Sequence, residues 1–348
     1  MIGVVDLDAA RAEWEPEGTY LNTASYGLPP ARAWRALQDA LADWRGGRTS
    51  WEHWGQTANV SRAAFARLVG APVDAVAIGA TVSGLVGLIA ASIPDGARVL
   101  APDVEFTSTL FPFMVQESRG IEVRTVPAAR LAEAIDASTD VVAFSAVQMT
   151  TGEVADLGAV AAAARHHDAL TVVDASQACG WLPLDATDFD AVASGAFKWL
   201  MGLRGTAFLT VSPGLLERTV PHAAGWYAGE DVHDSYAGPP LRLAQSARRL
   251  DTAPDWFSWV GTAPALELVE EIGVEAIHAH DVGLANAFRE GLGLQPGDSA
   301  IVSSEFTGDL EQLRGAGVMA AEIGGRLRTA WHVYNTSADV DRALEVLG

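Results

Sequence analysis

From about Ala75 to Leu209 the sequence alternates short apolar runs with polar turns and amphipathic stretches, and this alternation restricts the fold more than any other feature. Ala75–Ile78, Arg98–Leu100, Glu122–Arg124, Val141–Phe144, Leu170–Val173, Ala191–Ala193 and Thr206–Leu209 read as strands. Helical periodicity fills the intervals and is clearest from Leu157 to His167. Strands separated by helices pair in parallel, so the pattern predicts an α/β fold: a large, mostly parallel sheet with helices on both faces. Sheets of this class bind ligands beyond the carboxyl ends of their strands. From about Arg249 a long helical stretch and a short α/β segment predict a smaller C-terminal α/β domain. Gly238-Pro239-Pro240 marks the approach to that boundary, which divides 1–245 from 246–348.

Composition narrows the function classes. With 49% hydrophobic residues in 348, the chain has enough apolar surface for a substantial core. It contains no uninterrupted apolar stretch of membrane-spanning length, and Met1 to Asp6 lacks the basic-then-apolar pattern of a signal peptide. Cys179 is the only cysteine, which excludes a disulfide framework and a cysteine-based metal site and fits a cytoplasmic setting. His166 and His167 form no spaced ligand pattern, so no metal is expected. A formal charge of −21 repels nucleic acid and anionic membranes. The expected partner is a small molecule.

Lys198 is the only lysine among 23 basic side chains. Arginine serves wherever a surface cation suffices. It cannot serve where an amine must lose its proton and attack a carbonyl. A single lysine inside Gly195-Ala196-Phe197-Lys198-Trp199-Leu200-Met201 therefore reads as a chemical amine, one that forms a Schiff base. The alternative is a surface or ion-pair lysine.

Other candidates follow the strands. Asp174 ends the most hydrophobic strand; there it either holds the proton of a pyridine nitrogen or caps the next segment. Gln177, three residues on, has the chemistry to bond a ring hydroxyl. Ile78-Gly79-Ala80-Thr81-Val82-Ser83-Gly84 leads from a strand into an apolar helix, whose free amides suit a phosphate. It is neither a Walker loop nor a dinucleotide fingerprint, and an ordinary capped helix has the same form. Phe106 either stacks on a flat cofactor or joins the core. Arg328, at the start of a strand-like stretch, suits a bidentate clamp on a carboxylate; a surface ion pair is the alternative. Ser25 shows no neighbouring base, and Trp226 either walls a pocket or packs in the core.

In order along the chain, Tyr20-Leu21-Asn22-Thr23-Ala24, Gly79-Ala80-Thr81, Glu105-Phe106, Val147-Gln148 with Thr151-Gly152, Asp174-Ala175-Ser176-Gln177, Lys198-Trp199-Leu200 with Arg204-Gly205, and Arg328 through Thr336 carry a resemblance. Together they resemble the class V aminotransferase family of fold-type-I pyridoxal-phosphate enzymes. The branch is that of isopenicillin-N epimerases, selenocysteine lyases, cysteine desulfurases and kynureninases. The resemblance implies pyridoxal 5'-phosphate as cofactor, with Lys198 as its aldimine lysine and Asp174 on the pyridine nitrogen. It also implies Gln177 near the ring oxygen, Ala80 and Thr81 on the phosphate, and Phe106 on the ring. Arg328 and Asn22 fall at the substrate carboxylate. A homodimer with sites at the interface is implied, with Thr252 where a partner's phosphate contact falls.

Three departures bear on the reaction. Phe197 stands where desulfurases carry a histidine, and Met149 where many relatives carry a carboxylate-binding asparagine, which leaves Gln148 as the polar contact. Cys179 lies just after the cofactor strand rather than in a late mobile loop, which argues against a persulfide mechanism. The expected activity is that of an enzyme binding an α-amino acid as an external aldimine, first an aminotransferase. A C–S β-lyase or epimerase without a persulfide cysteine is the alternative, and a non-catalytic cofactor-binding domain a distant third.

Overall fold

The computed structural model describes residues 6–347. The opening residues Met1 to Val5, part of the segment read above for a signal pattern, lie outside them. All seven expected strands form and join one sheet. Its spatial order is Val76–Gly79, Ala207–Val211, Ala191–Gly195, Leu170–Asp174, Val141–Ser145, Arg98–Pro102 and Glu122–Val126. Ala207–Val211 runs antiparallel to both of its neighbours; the other pairings are parallel.

Period-two alternation divides the strand side chains between two cores. Val76, Ile78, Leu100, Val142, Phe144 and Val173 face one cluster, which includes Phe65 of helix Trp51–Leu68 and Val160 of helix Leu157–His166. Ala77, Val99, Ala143, Val172, Ala193 and Leu209 face the other, against helix Val82–Ser92 and Phe113. Both faces are thus covered, which is why these strands read as nearly continuous apolar runs. The small alanines on the second face let helix Val82–Ser92 approach closely.

The C-terminal part has its own antiparallel sheet, Ala321–Ile323, Arg326–Ala330 and Ile301–Glu305, over a third core containing Phe288, Leu327 and Trp331. The amino-terminal segment joins it: Thr19–Tyr20 pairs with Val318–Met319, and Asn22 bridges Ala330. Helix Trp256–Ile272, expected with the C-terminal part, places Trp259, Leu266 and Val269 in the same core as Phe65 and Phe208. No helix among the described residues is long and apolar enough to cross a membrane.

Candidate active site

The carboxyl ends of the parallel strands open onto one cavity of about 460 Å³. Ala80, Thr81, Phe106, Asp174, Lys198 and Arg328, far apart in sequence, all line it.

Lys198 follows strand Ala191–Gly195 in a tight turn. Met201 adopts a left-handed φ of 53° and its amide bonds back to the Lys198 carbonyl at 3.0 Å, while Gly202 bonds back to Ala196 at 2.9 Å. Gly27 packs directly on this turn, its amide 3.0 Å from the Phe197 carbonyl; a β-carbon there would overlap the Lys198 carbonyl. On the other side His332, fully buried, reaches the Trp199 carbonyl at 3.0 Å through Nε2 and Asp281 at 2.7 Å through Nδ1. The turn is therefore braced by Gly27 and by the C-terminal part together. The Lys198 ammonium has no hydrogen-bond or ion-pair partner among the described residues. Burial pulls its pKa down to about 8; the Asp174 carboxylate opposes that shift, and Arg328 and Arg204 add to it.

Asp174 is fixed by two donors, the Ser176 amide at 2.8 Å and Thr109 Oγ1 at 3.0 Å. Behind it Glu105 is buried without a cation among the described residues, so burial, reinforced by the Asp174 charge, raises its pKa against the Ser145 hydrogen bonds. Thr81 caps helix Val82–Ser92 by accepting from the Gly84 amide at 3.1 Å. The first amides of that helix have no intrahelical acceptor and sit at the cavity. Phe106 is 37% exposed, and its ring centre lies 5.5 Å from Lys198 Nζ.

Arg328 is only 2% exposed, yet it meets no carboxylate among the described residues. Its Nη1 donates to the Met149 carbonyl at 3.0 Å, and its Nη2 to Ser25 Oγ at 2.6 Å and Asn22 Oδ1 at 3.3 Å. Its Nε is buried with no acceptor among the described residues. Burial alone pulls this guanidinium down to about 10, which leaves it a cation at neutral pH.

Four expected residues stand behind the wall rather than on it. Asn22 holds Arg328. Gln148 donates to Glu105 at 3.2 Å, and the cavity wall is Met149 instead. Gln177 spends both ends of its amide on the protein, donating to the Ala24 carbonyl at 2.9 Å and accepting from Trp199 Nε1 at 2.8 Å. Thr252 lies outside its own chain's cavity, beside Asp251, which pins strand Val76–Gly79 through the Ile78 amide at 2.8 Å and pairs with Arg62. Trp226 packs with Trp51, Tyr236 and Trp256, away from the cavity. Cys179 is buried, and burial pushes its thiol up to about 12. No cluster that could hold a metal ion occurs among the described residues.

The wall also includes Ser25, Ser176, Arg204 and Ile323, which the sequence did not assign to a site. Ser25 adjoins the Asn22 motif, and that adjacency was the only signal available for it. Thr109 gave none, since its partner Asp174 lies 65 positions away.

The Aminotransferase class-V family profile matches residues 20–306. The chain belongs to the class-V aminotransferase family. It is 28% identical over 334 residues to the uncharacterized aminotransferase YcbU of Bacillus subtilis (strain 168), covering 89% of this chain and 88% of that protein. To the isopenicillin N epimerase of Streptomyces clavuligerus it is 29% identical over 332 residues, covering 82% and 83%. Its fold matches that of a C-DES variant solved with glycine covalently linked to the PLP cofactor, with a TM-score of 0.87 at 21% identity over 99% of each chain. The protein is a pyridoxal-phosphate-dependent enzyme acting on amino acids. The cavity fits that cofactor. It offers an unpartnered amine beside a fixed carboxylate, open helix amides for a phosphate and an aromatic face for a ring.

Proposed function

We propose that this enzyme is an aminotransferase, taking the amino group of an α-amino acid and passing it to a 2-oxo acid. One observation carries the reading. Among the described residues on the cavity wall, Lys198 is the one ionisable side chain without a hydrogen-bond or ion-pair partner, and burial pulls its pKa down to about 8, which frees it to take and give a proton. Transamination asks for one such group to move the α-proton. Inversion at the α-carbon is best served by two, one on each face. Persulfide chemistry asks for a mobile thiol, and Cys179 is buried with its pKa raised. The name of the B. subtilis relative agrees with this choice.

Pyridoxal phosphate, when bound, supplies a carbonyl that condenses with amines and a protonated ring that draws electrons from the substrate carbon. The chain's residues then divide the work. The amides opening helix Val82–Ser92, with Ala80 and Thr81, hold the phosphate. Phe106 covers the ring, and Asp174, locked by Ser176 and Thr109, keeps the ring nitrogen protonated. Arg328 binds the substrate carboxylate, with Ser25 and Asn22 fixing its guanidinium. Lys198 moves the α-proton. Met149, Phe106 and Ile323 limit water at that carbon.

The same reading makes the enzyme a cytoplasmic homodimer, with Thr252 of one subunit completing the phosphate site of the other. Exposed Phe111 and Val115, which share a surface hollow with Ser83, support a covered face there. The test is product analysis of the reconstituted enzyme with a panel of amino acids, with and without 2-oxo acids. Transfer predicts a new amino acid and a new 2-oxo acid in equal amounts, only when an acceptor is present. Ammonia or sulfide released without an acceptor, or inverted substrate, would contradict it.

A further inference from the structure

The cavity's charge is out of keeping with the chain. The protein carries −21 overall, yet the cavity wall presents Lys198, Arg204 and Arg328 against the single carboxylate of Asp174. On the reading above, Lys198 handles the amine and Arg328 the α-carboxylate. Arg204 is left without a task.

Arg204 is held in place but not neutralised. It forms no ion pair among the described residues. Its Nη1 donates to Tyr26 Oη at 2.7 Å, and the guanidinium carbon lies 5.1 Å from the Phe197 ring centre and 5.9 Å from that of Tyr26. The backbone beneath it is fixed: Ser258 Oγ donates to the Arg204 carbonyl at 2.9 Å, and Gly205 turns the chain at φ +97°. One N–H of five is therefore used within the protein, and the planar fork is stacked in advance for a bidentate oxyanion.

The position of the fork selects the ligand. The backbone of Arg204 runs near the phosphate loop, since Ala207 pairs with Gly79. Its side chain instead reaches Tyr26, the residue next to Ser25, which holds Arg328. Two guanidinium groups that line the same cavity are thus anchored on consecutive residues of one turn. We propose that Arg204, with Tyr26, is a second oxyanion site that binds the distal carboxylate of the substrate, so that this enzyme works on amino acids and 2-oxo acids with acidic side chains. The proposal rests on the amino-acid reading of the cavity and names its substrate class.

The test is binding, read without turnover. Wild-type holoenzyme and Arg204→Gln, which keeps a donor for Tyr26 and loses the charge, are titrated with glutarate and with butyrate. The cofactor's absorbance reports occupancy, and cofactor affinity is measured separately by titrating apoenzyme with pyridoxal phosphate. Wild type should bind glutarate at least about tenfold more tightly than butyrate, as a charge-assisted contact predicts. Arg204→Gln should erase that preference and leave cofactor affinity within about twofold. A variant that keeps the preference but loses cofactor affinity would overturn the proposal and assign Arg204 to the cofactor phosphate. A wild type with no preference would overturn it too, leaving Arg204 a solvated surface cation. Because no amino group is transferred, failure of the aminotransferase reading would show only in product analysis and would leave these affinities unchanged.

Discussion

His332 Nε2 donates to the carbonyl oxygen of Trp199 at 3.0 Å, and through this contact the C-terminal part of the chain grips the turn that carries Lys198. His332 follows by two residues the strand Arg326–Ala330, which carries Arg328. Lys198 and Arg328 are therefore positioned by one continuous segment. Its other nitrogen faces Asp281, which also meets His280 at 2.8 Å, so one buried carboxylate anchors the whole arrangement. His332→Gln should cost about 3 kcal/mol of stability in urea unfolding, because it leaves Asp281 short of a partner. It should also lower kcat more than it weakens cofactor binding. Unchanged stability and kcat would show that the contact is incidental.

Arg328→Ala should leave cofactor affinity nearly intact, since the residues proposed for the phosphate and ring, Ala80, Thr81, Phe106 and Asp174, lie elsewhere on the wall. The half-reaction with amino acids should fall by at least about a hundredfold, or roughly 3 kcal/mol for a lost bidentate contact. Simple amines should suffer much less. Equal losses for both substrate types, read by stopped-flow absorbance, would make Arg328 structural.

Asp174→Asn should keep the fold and slow α-proton exchange by about two to three orders of magnitude. The substitution has a second signature. The Asp174 carboxylate favours the Lys198 ammonium, so neutralising it should move the lysine's midpoint below its value of about 8. Deuterium exchange monitored by NMR at several pH values measures both effects. Exchange at the normal rate would remove Asp174 from the chemistry.

Cys179→Ala should retain most activity and lose about 1 kcal/mol of stability, as expected for a small buried side chain. Complete loss of activity with the fold preserved would restore a thiol mechanism.

The large sheet was legible because its inner strands are buried on both faces, which forces near-continuous apolar runs at regular intervals; the edge strand Glu122–Val126 is mostly exposed and shows only alternation. Helix Leu157–His166 was legible from its period, apart from one residue at its end. Residues whose chemistry is fixed by type also stood out: one lysine, and an acid at a strand end. Orientation was not legible. Gln177 and Gln148 carry suitable amides, but their partners lie 153 and 43 positions away, and those contacts turn both side chains into the protein. The roles of Ser25 and Arg204 also depend on contacts across the chain, with Arg328 and Tyr26. No local pattern encodes such pairings.

The central claim is that Lys198 is the amine that captures pyridoxal phosphate. Apoenzyme is mixed with the cofactor across a pH series, reduced with borohydride at short times, and mapped by peptide mass spectrometry. Lys198 is the only lysine of the sequence, and peptide mapping separates its adduct from one on an α-amino group. The amine reacts only when deprotonated, and burial places its midpoint at about 8 rather than at the ordinary 10.5. The adduct should therefore lie on Lys198, with a formation rate that rises with pH through a midpoint near 8 and levels off above it. An adduct confined to the amino terminus, or a Lys198 rate still climbing toward pH 10.5, would contradict the account.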